Sequence, residues 1–509
     1  MPDVDVLIDH LATLVPRLAA EHGVPGIAVG LCDRTGPLWS QGFGGTGAGS
    51  PVGTRTMFSV QSTSKLVTAT GVLLAVQEGL AELDEPVVTY LPDLTVRSDL
   101  EEHPERRITL RHLLTHTAGL THEAPVGSNY EVGEASFEEH LASIAETYLR
   151  FPVGHHHEYS NLGIDLAGHA VAAASGLPFA EFMRTRLFAP LALDRSTFDF
   201  ARYDAEPDRA IGHSRAFADA GVAVPRRVPM VPSGGLYTCV DDLLGYLSFQ
   251  LDQGRSVLRP ELVAQHLDFP RLRAEQVRGY GLGVYVDTWE PGVRVLHHGG
   301  AGFGFLCQAL WLPDLGIGAA VLTNAVDHDV QNELAAEIVR LLAGAGAVRS
   351  APVPGSRQPA GSSVPEDAAG TYVGRLGDVL RVEPESPPPD ADFLRDSDGH
   401  VRYLLDRPSG EVRYRTAVPG LPPARLPEEA LGTYAAIVNG VPLGWYRLRH
   451  DAESDVIDLP RRGSLEDPIT LQLVEVAPGR YRSATGETLL LDGLRTTYAN
   501  IPLTRREAS

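Results

Sequence analysis

Ser62-Thr63-Ser64-Lys65 sets a hydroxyl and an amine three residues apart. At helical pitch residues three apart share a face, so the two groups can meet, while Ser64 is turned away by about 100 degrees. A serine hydroxyl attacks a carbonyl only once a base takes its proton, and a lysine desolvated in an apolar pocket can be that base. Of the 43 Lys and Arg residues, Lys65 is the single lysine. Arginine keeps its proton near neutral pH, so a site that needs a neutral amine is one where arginine cannot substitute. A nucleophile at a helix start also has the positive end of the dipole beside its developing charge. Alone, the pattern is more commonly a solvated Ser and Lys on a helix, so its weight rests on what accompanies it.

Tyr159-Ser160-Asn161 follows the loop FPVGHHHEYSNLG and precedes an apolar helical run. A phenol aimed at the Ser62 hydroxyl can share or relay its proton, and an Asn carboxamide can hold both Lys65 and a substrate carbonyl. His155 to His157 are adjacent in sequence, and adjacent residues rarely converge on one ion, so no metal site is read there. His298-Gly299-Gly300-Ala301 opens a glycine-rich stretch that continues through Gly302 and Gly304. Glycines weaken a strand, so they point to close approach of a ligand backbone, and a bare N–H here with that of Ser62 can form an oxyanion hole. A glycine-rich hairpin is the structural alternative. Gly42 to Gly47 matches G-x-G-x-x-G, but no helix follows and Pro51 comes soon after, so it is a loop and not a dinucleotide site.

The elements that must position these groups follow from length and pattern. A chain of 509 residues exceeds one hydrophobic core, and 43% hydrophobic with 21% charged residues is the composition of a folded globular protein. The formal charge of -22, with no basic cluster, disfavours nucleic acid. No apolar run reaches membrane-spanning length, the start MPDVDVLIDH has no signal-like apolar region, and three scattered cysteines give no disulfide framework. The expectation is a cytoplasmic protein without membrane or nucleic-acid partners. Helical spacing predicts a helix over 5–22, a buried strand over 27–31, a helix after Ser62 and one capped by Thr109. Short apolar runs from about 280 predict adjacent antiparallel strands, closed by a helix over 329–343. Residues 344 to 365 are rich in Pro, Gly, Ser and Ala, as a linker is, and the remainder alternates in short runs that read as all-β. PEDAAGTY at 365–372 recurs as PEEALGTY at 427–434, so this tail is a duplicated β unit: two small subdomains or one barrel of two halves.

In order, these motifs resemble the serine β-lactamase and penicillin-binding-protein superfamily, in particular its class C-like branch. ITLRHLLTHTAGL (108–120) and PSGGLYTCVDDLLGYL (232–247) are similar to further segments of that branch. The resemblance implies an α/β fold over 1–345, an antiparallel sheet flanked by helices with an all-α subdomain. A linker (346–365) and a C-terminal lipocalin-like β-barrel (366–509, with halves 366–427 and 428–509) would follow. It implies Ser62 as the acylated nucleophile, Lys65 as its base, Tyr159 as a second proton carrier, and Asn161 as the group that positions Lys65 and the substrate amide. His298 takes the first place of the third motif, Gly299 and Gly300 follow, and the N–H groups of Ser62 and Ala301 face the oxyanion. That motif ordinarily begins with Lys. The His variant resembles peptidases, esterases and transacylases of the branch and puts efficient β-lactam hydrolysis in doubt.

Relatives with a β-barrel appendage include D-stereospecific aminopeptidases and stand-alone thioesterases that cyclise nonribosomal peptides. The implied substrate is a small peptide or ester, including a carrier-bound or thioester-linked peptide with a D-residue at the acyl position, and no cofactor is called for. Trp445, Arg447 and Arg449 share one strand face by period two and are candidates for a lid that meets a peptide carboxylate, against the alternative of a solvated basic face. A catalytically silent peptide-binding module is the competing function.

Overall fold

The computed structural model describes residues 4–345 except 99, 128–134, 215–230, 256 and 268–277, and residues 364–505 except 366, 375–377, 385–387, 389–390, 396–398, 407–410, 419–423, 439–440, 453, 462–463, 492–495 and 500. The expected linker at 346–365 thus lies outside the described residues but for Val364 and Pro365.

Helix α1 (Val4–His22) buries Leu7, Leu11, Val15 and Leu18, one stripe at spacings of three and four. Strands β1 (Gly26–Asp33) and β2 (Pro37–Gly44) follow, so Gly42 to Gly44 end a strand where a loop was expected. Helix α2 (Ser64–Gln77) is buried all round from Ser64 to Ala75 and forms the spine of the helical region, beside α3 (Asn161–Ser175) and α4 (Val240–Leu251). Then come β3 (Gly279–Tyr280), β4 (Tyr285–Glu290), β5 (Val293–Gly302), β6 (Phe305–Leu312), β7 (Ile317–Thr323) and helix α5 (Val330–Ala345). The strands form one seven-stranded antiparallel sheet in the order β2-β1-β7-β6-β5-β4-β3.

Period-two alternation sorts the sheet's side chains between two cores. Ile27, Val29, Leu31, Leu310 and Val321 pack with α1 and α5. Ala28, Cys32, Ala309, Trp311 and Leu322 pack with α2 and α4. Because both faces are covered, β6 and β7 are buried at every residue, which is why their sequences read as unbroken apolar runs.

The tail departs from a single barrel. Strands β8 (Gly370–Val373), β9 (Val379–Val382), β10 (Ala391–Arg395), β11 (Val401–Asp406) and β12 (Val412–Arg415) make an open sheet in the order β9-β8-β12-β11-β10. Eight further strands between Gly432 and Arg505 close into a separate antiparallel barrel. Each unit starts with one copy of the repeated octapeptide, and the copies make the same bonds. Tyr372 and Tyr434 hydroxyls donate to the carbonyls of Ala368 and Ala430, at 2.8 and 2.7 Å. Arg415 donates to the carbonyls of Asp367 and Ala369, and Arg505 to those of Glu429 and Leu431. The repeated glycine is required because a Cβ on Gly370 would stand 3.1 Å from Arg415 Nε, at a φ of +155°. Strand pairing closed the second copy into a barrel and left the first open, an outcome that an eight-residue repeat does not encode.

The buried Arg415 donates to three carbonyls, those of Asp367, Ala369 and Val401, by charge-assisted bonds, so Arg415→Ala is expected to destabilise by about 2 kcal/mol. Arg505→Ala should cost less because its guanidinium is exposed to water. Urea denaturation of both variants checks the order.

Candidate active site

Ser62 sits in a single 3-10 turn, Gln61–Thr63, that runs into α2. Three residues per turn in a 3-10 helix bring positions three apart into line, which sharpens the pairing expected from α-helical pitch. Lys65 is 0% exposed, and its Nζ donates to Ser62 Oγ at 3.0 Å and to the Ser233 carbonyl at 2.7 Å. Ser64 is turned away as expected: its hydroxyl donates to the Gln61 carbonyl at 2.5 Å and accepts the Leu236 N–H. Gln61, just before the nucleophile, is buried at a φ of 49°, left-handed for a residue with a side chain.

The carbonyl that holds Lys65 is itself fixed. Asp165 on α3 accepts the Ser233 N–H at 2.9 Å, Thr68 on α2 donates to the Pro232 carbonyl at 2.6 Å, and Gly168 lacks the Cβ that would stand 2.4 Å from Pro232. Burial, with the Glu123 carboxylate nearby, holds the Asp165 carboxyl well above the usual carboxylate range.

Tyr159 joins the same site, with Lys65 Nζ 4.8 Å from its ring centroid. Its ring packs on His116 at 4.4 Å and lies 6.2 Å from that of His298. His298 is buried with both nitrogens engaged. Nδ1 faces the Gly299 carbonyl at 2.6 Å and so carries the hydrogen, and Nε2 lies 2.9 Å from the Tyr280 hydroxyl. His298 thus anchors Tyr280, whose ring packs 4.5 Å from His116.

Two expectations are corrected. Asn161 does not hold Lys65: its Nδ2 donates to Glu123 Oε1 at 2.5 Å, because a buried carboxylate claims the amide, while its Oδ1 is buried with no hydrogen-bond partner among the described residues. Ser233 takes that holding role. Gly300 is glycine because of the turn that carries Ser62, not only to admit a ligand. A Cβ there would lie 2.0 Å from the Val60 carbonyl. β4 stops pairing with β5 at His297, which leaves the edge at His298 to Ala301 for that turn; Thr63 donates to the His298 carbonyl at 3.2 Å, and Ala301 is exposed beyond it.

The structure does not direct Arg447 and Arg449 to this site. Both bind the buried Asp458 on the neighbouring strand, at 2.7 and 3.0 Å, with Trp445 half-buried on the same strand. The C-terminal residues that do approach Tyr159 come from the five-stranded sheet. Asp378 and Arg413 there, with Tyr159 and Tyr285, line a cavity of about 180 Å³. His155 and His156 pack against Tyr403 at 5.4 and 5.0 Å, and His157 against Tyr280 at 5.4 Å. Glu123, Asp165 and Tyr280 carry no motif, Ser233 lies in the 232–247 segment with no role read for it, and the sequence reading missed all four.

Residues 11–344 match the family model described as Beta-lactamase. The chain belongs to the beta-lactamase family. It is similar to Esterase EstB of Burkholderia gladioli, 27% identical over 60% of this chain and 81% of that protein. It is also similar to the D-alanyl-D-alanine-carboxypeptidase/endopeptidase AmpH of Escherichia coli (strain K12), 25% identical over 59% of this chain and 80% of that protein. The octameric penicillin-binding protein homologue from Pyrococcus abyssi shares the fold across 97% of this chain and 99% of its own, at a TM-score of 0.57 and 19% identity. A beta-lactamase-family domain followed by β units is therefore an architecture that this member shares with a solved structure.

Gly300→Ala would push β5 off the Ser62 turn, and labelling of Ser62 by a fluorophosphonate is expected to slow at least ~100-fold, the scale of losing an oxyanion donor. For Asp165, the folded state keeps a proton that the unfolded chain releases, so the stability it contributes is present below the ordinary carboxylate range and is lost as pH rises. Asp165→Asn retains an acceptor for Ser233 but cannot ionise. Its stability relative to the parent should rise between about pH 5 and about pH 8 in urea denaturation.

Proposed function

We propose that the protein is a serine acyl-transfer enzyme that acylates Ser62 and passes the acyl group to water or an amine. One observation carries this reading: the only lysine of the chain is fully buried with its Nζ 3.0 Å from a serine hydroxyl that is itself half-exposed. Lys65 takes the Ser62 proton as the oxygen attacks the substrate carbonyl. The Ser62 and Ala301 N–H groups stabilise the oxyanion. Tyr159, with its ring against Lys65, returns a proton to the leaving group. The bare Oδ1 of Asn161 accepts from a substrate N–H.

The substrate class we infer is a peptide, or a peptidyl ester or thioester, with a D-residue at the acyl position. Its support is the similarity to an esterase and to a D-alanyl-D-alanine-carboxypeptidase. Hydrolysis and cyclisation share the acyl-enzyme and differ in whether water or the peptide's own amine reaches it. A linear peptidyl thioester with a D-residue at its carboxyl end separates them, since a cyclase releases product lighter by one water than the acid.

Incubation with an activated D-acyl ester should add the acyl mass at Ser62, and no adduct in the folded protein refutes the reading. Lys65→Arg restores a cation but no base, so acylation should fall ~100-fold or more.

A further inference from the structure

Arg150 lies nine residues before Tyr159 in the loop that delivers it, and its side chain is 5% exposed. Its Nη1 is 3.1 Å from Glu487 Oε1 and 3.5 Å from Glu158 Oε1, and its Nη2 donates to the Thr485 carbonyl at 2.8 Å. Glu158 immediately precedes Tyr159. Tyr414 of β12 donates its hydroxyl to Glu158 Oε2 at 3.3 Å and presents its ring 5.3 Å from the Arg150 guanidinium. His156 Nε2 reaches the same hydroxyl at 3.2 Å, with its ring stacked 3.7 Å from Phe151. Gly486, at a φ of +83°, lets the barrel turn close on Arg150, because a Cβ there would stand 3.2 Å from the Arg150 carbonyl. The loop that carries the phenol is thus held from three sides: by its own arginine, by the five-stranded sheet and by the barrel.

We propose that the Arg150–Glu158–Glu487 triad makes the barrel a positioning element of the active site, setting the stance of Tyr159 against Lys65 through Glu158. The inference rests on the reading of Tyr159 as the proton carrier to the leaving group. A buried guanidinium shared by two carboxylates tolerates loss of neither, because the remaining charges must find new partners. Without Glu487, Arg150 turns wholly to Glu158, and the residue next to the phenol moves. Simple adhesion between domains would have no such consequence. The ion pair of Arg480 in the barrel with Glu146 supplies the contrast, since it ties the same two units through residues outside the triad.

The test compares the p-nitrophenyl and ethyl esters of N-acetyl-D-alanine, since p-nitrophenolate departs without a proton and ethoxide needs one. In the full chain, Tyr159→Phe should lower the ethyl-to-nitrophenyl ratio of kcat/KM, which reports acylation, ~10-fold or more. Glu487→Gln and Glu158→Gln should lower it in the same direction by several-fold, while Arg480→Ala should not. A normal ratio in both glutamine variants alongside a lowered one in Tyr159→Phe overturns the positioning role and leaves the acyl-transfer reading standing. So does an equal fall in Arg480→Ala, which would mark general loosening. A ratio in Tyr159→Phe no lower than in the parent, or no turnover of either ester, removes the role assigned to Tyr159 and this proposal with it.

Discussion

One contact constrains the rest of the molecule: an amine with no access to water, held against a hydroxyl that has some. Keeping Lys65 dry takes a helix buried on every side, which explains why α2 lacks a polar stripe and why the sheet, α3 and α4 must surround it. Aiming the amine takes a second acceptor, the Ser233 carbonyl, and that carbonyl needs the Asp165 and Thr68 bonds to keep its place. A buried polar group left half-satisfied costs more than it contributes, so each link in this series requires the next.

The approach of β5 to the Ser62 turn is the second requirement, and it is met by subtraction. Gly300 yields space to the Val60 carbonyl and Gly302 to the side chain of Gln61. The strain at Gln61 and the short 3-10 turn both arise where chain direction changes abruptly between a strand and the spine helix. The site is therefore assembled from backbone proximity as much as from side-chain chemistry.

What the sequence made legible follows that division. Ser62 and Lys65 could be read because spacing along a helix is local information, and α1, β1 and the cap at Thr109 could be read for the same reason. Tyr159 and His298 came from motif resemblance, and their rings do meet at one site. Ser233 was not legible because it works through a carbonyl that every residue possesses. Glu123 and Asp165 come from different elements, and only folding reveals that they share a buried pocket with Asn161 and Lys65. Arg447 and Arg449 were correctly placed on one face, but period two does not say that strand register sets Asp458 opposite Arg447. The octapeptide repeat announced two β units without disclosing that one stays open and packs its Tyr403 and Tyr414 against the barrel.

Among the described residues, the buried charges that join the tail to the catalytic domain converge on the loop that delivers Tyr159. The composition of this chain makes the partnership of Lys65 with Ser62 directly observable. Growth with lysine labelled by ¹⁵N at Nζ gives one side-chain amine signal from the whole polypeptide. The account predicts that this signal is unlike that of a solvated ammonium and that it moves both in Ser62→Ala and on acylation of Ser62. A free-ammonium signal, unchanged by either, would contradict it.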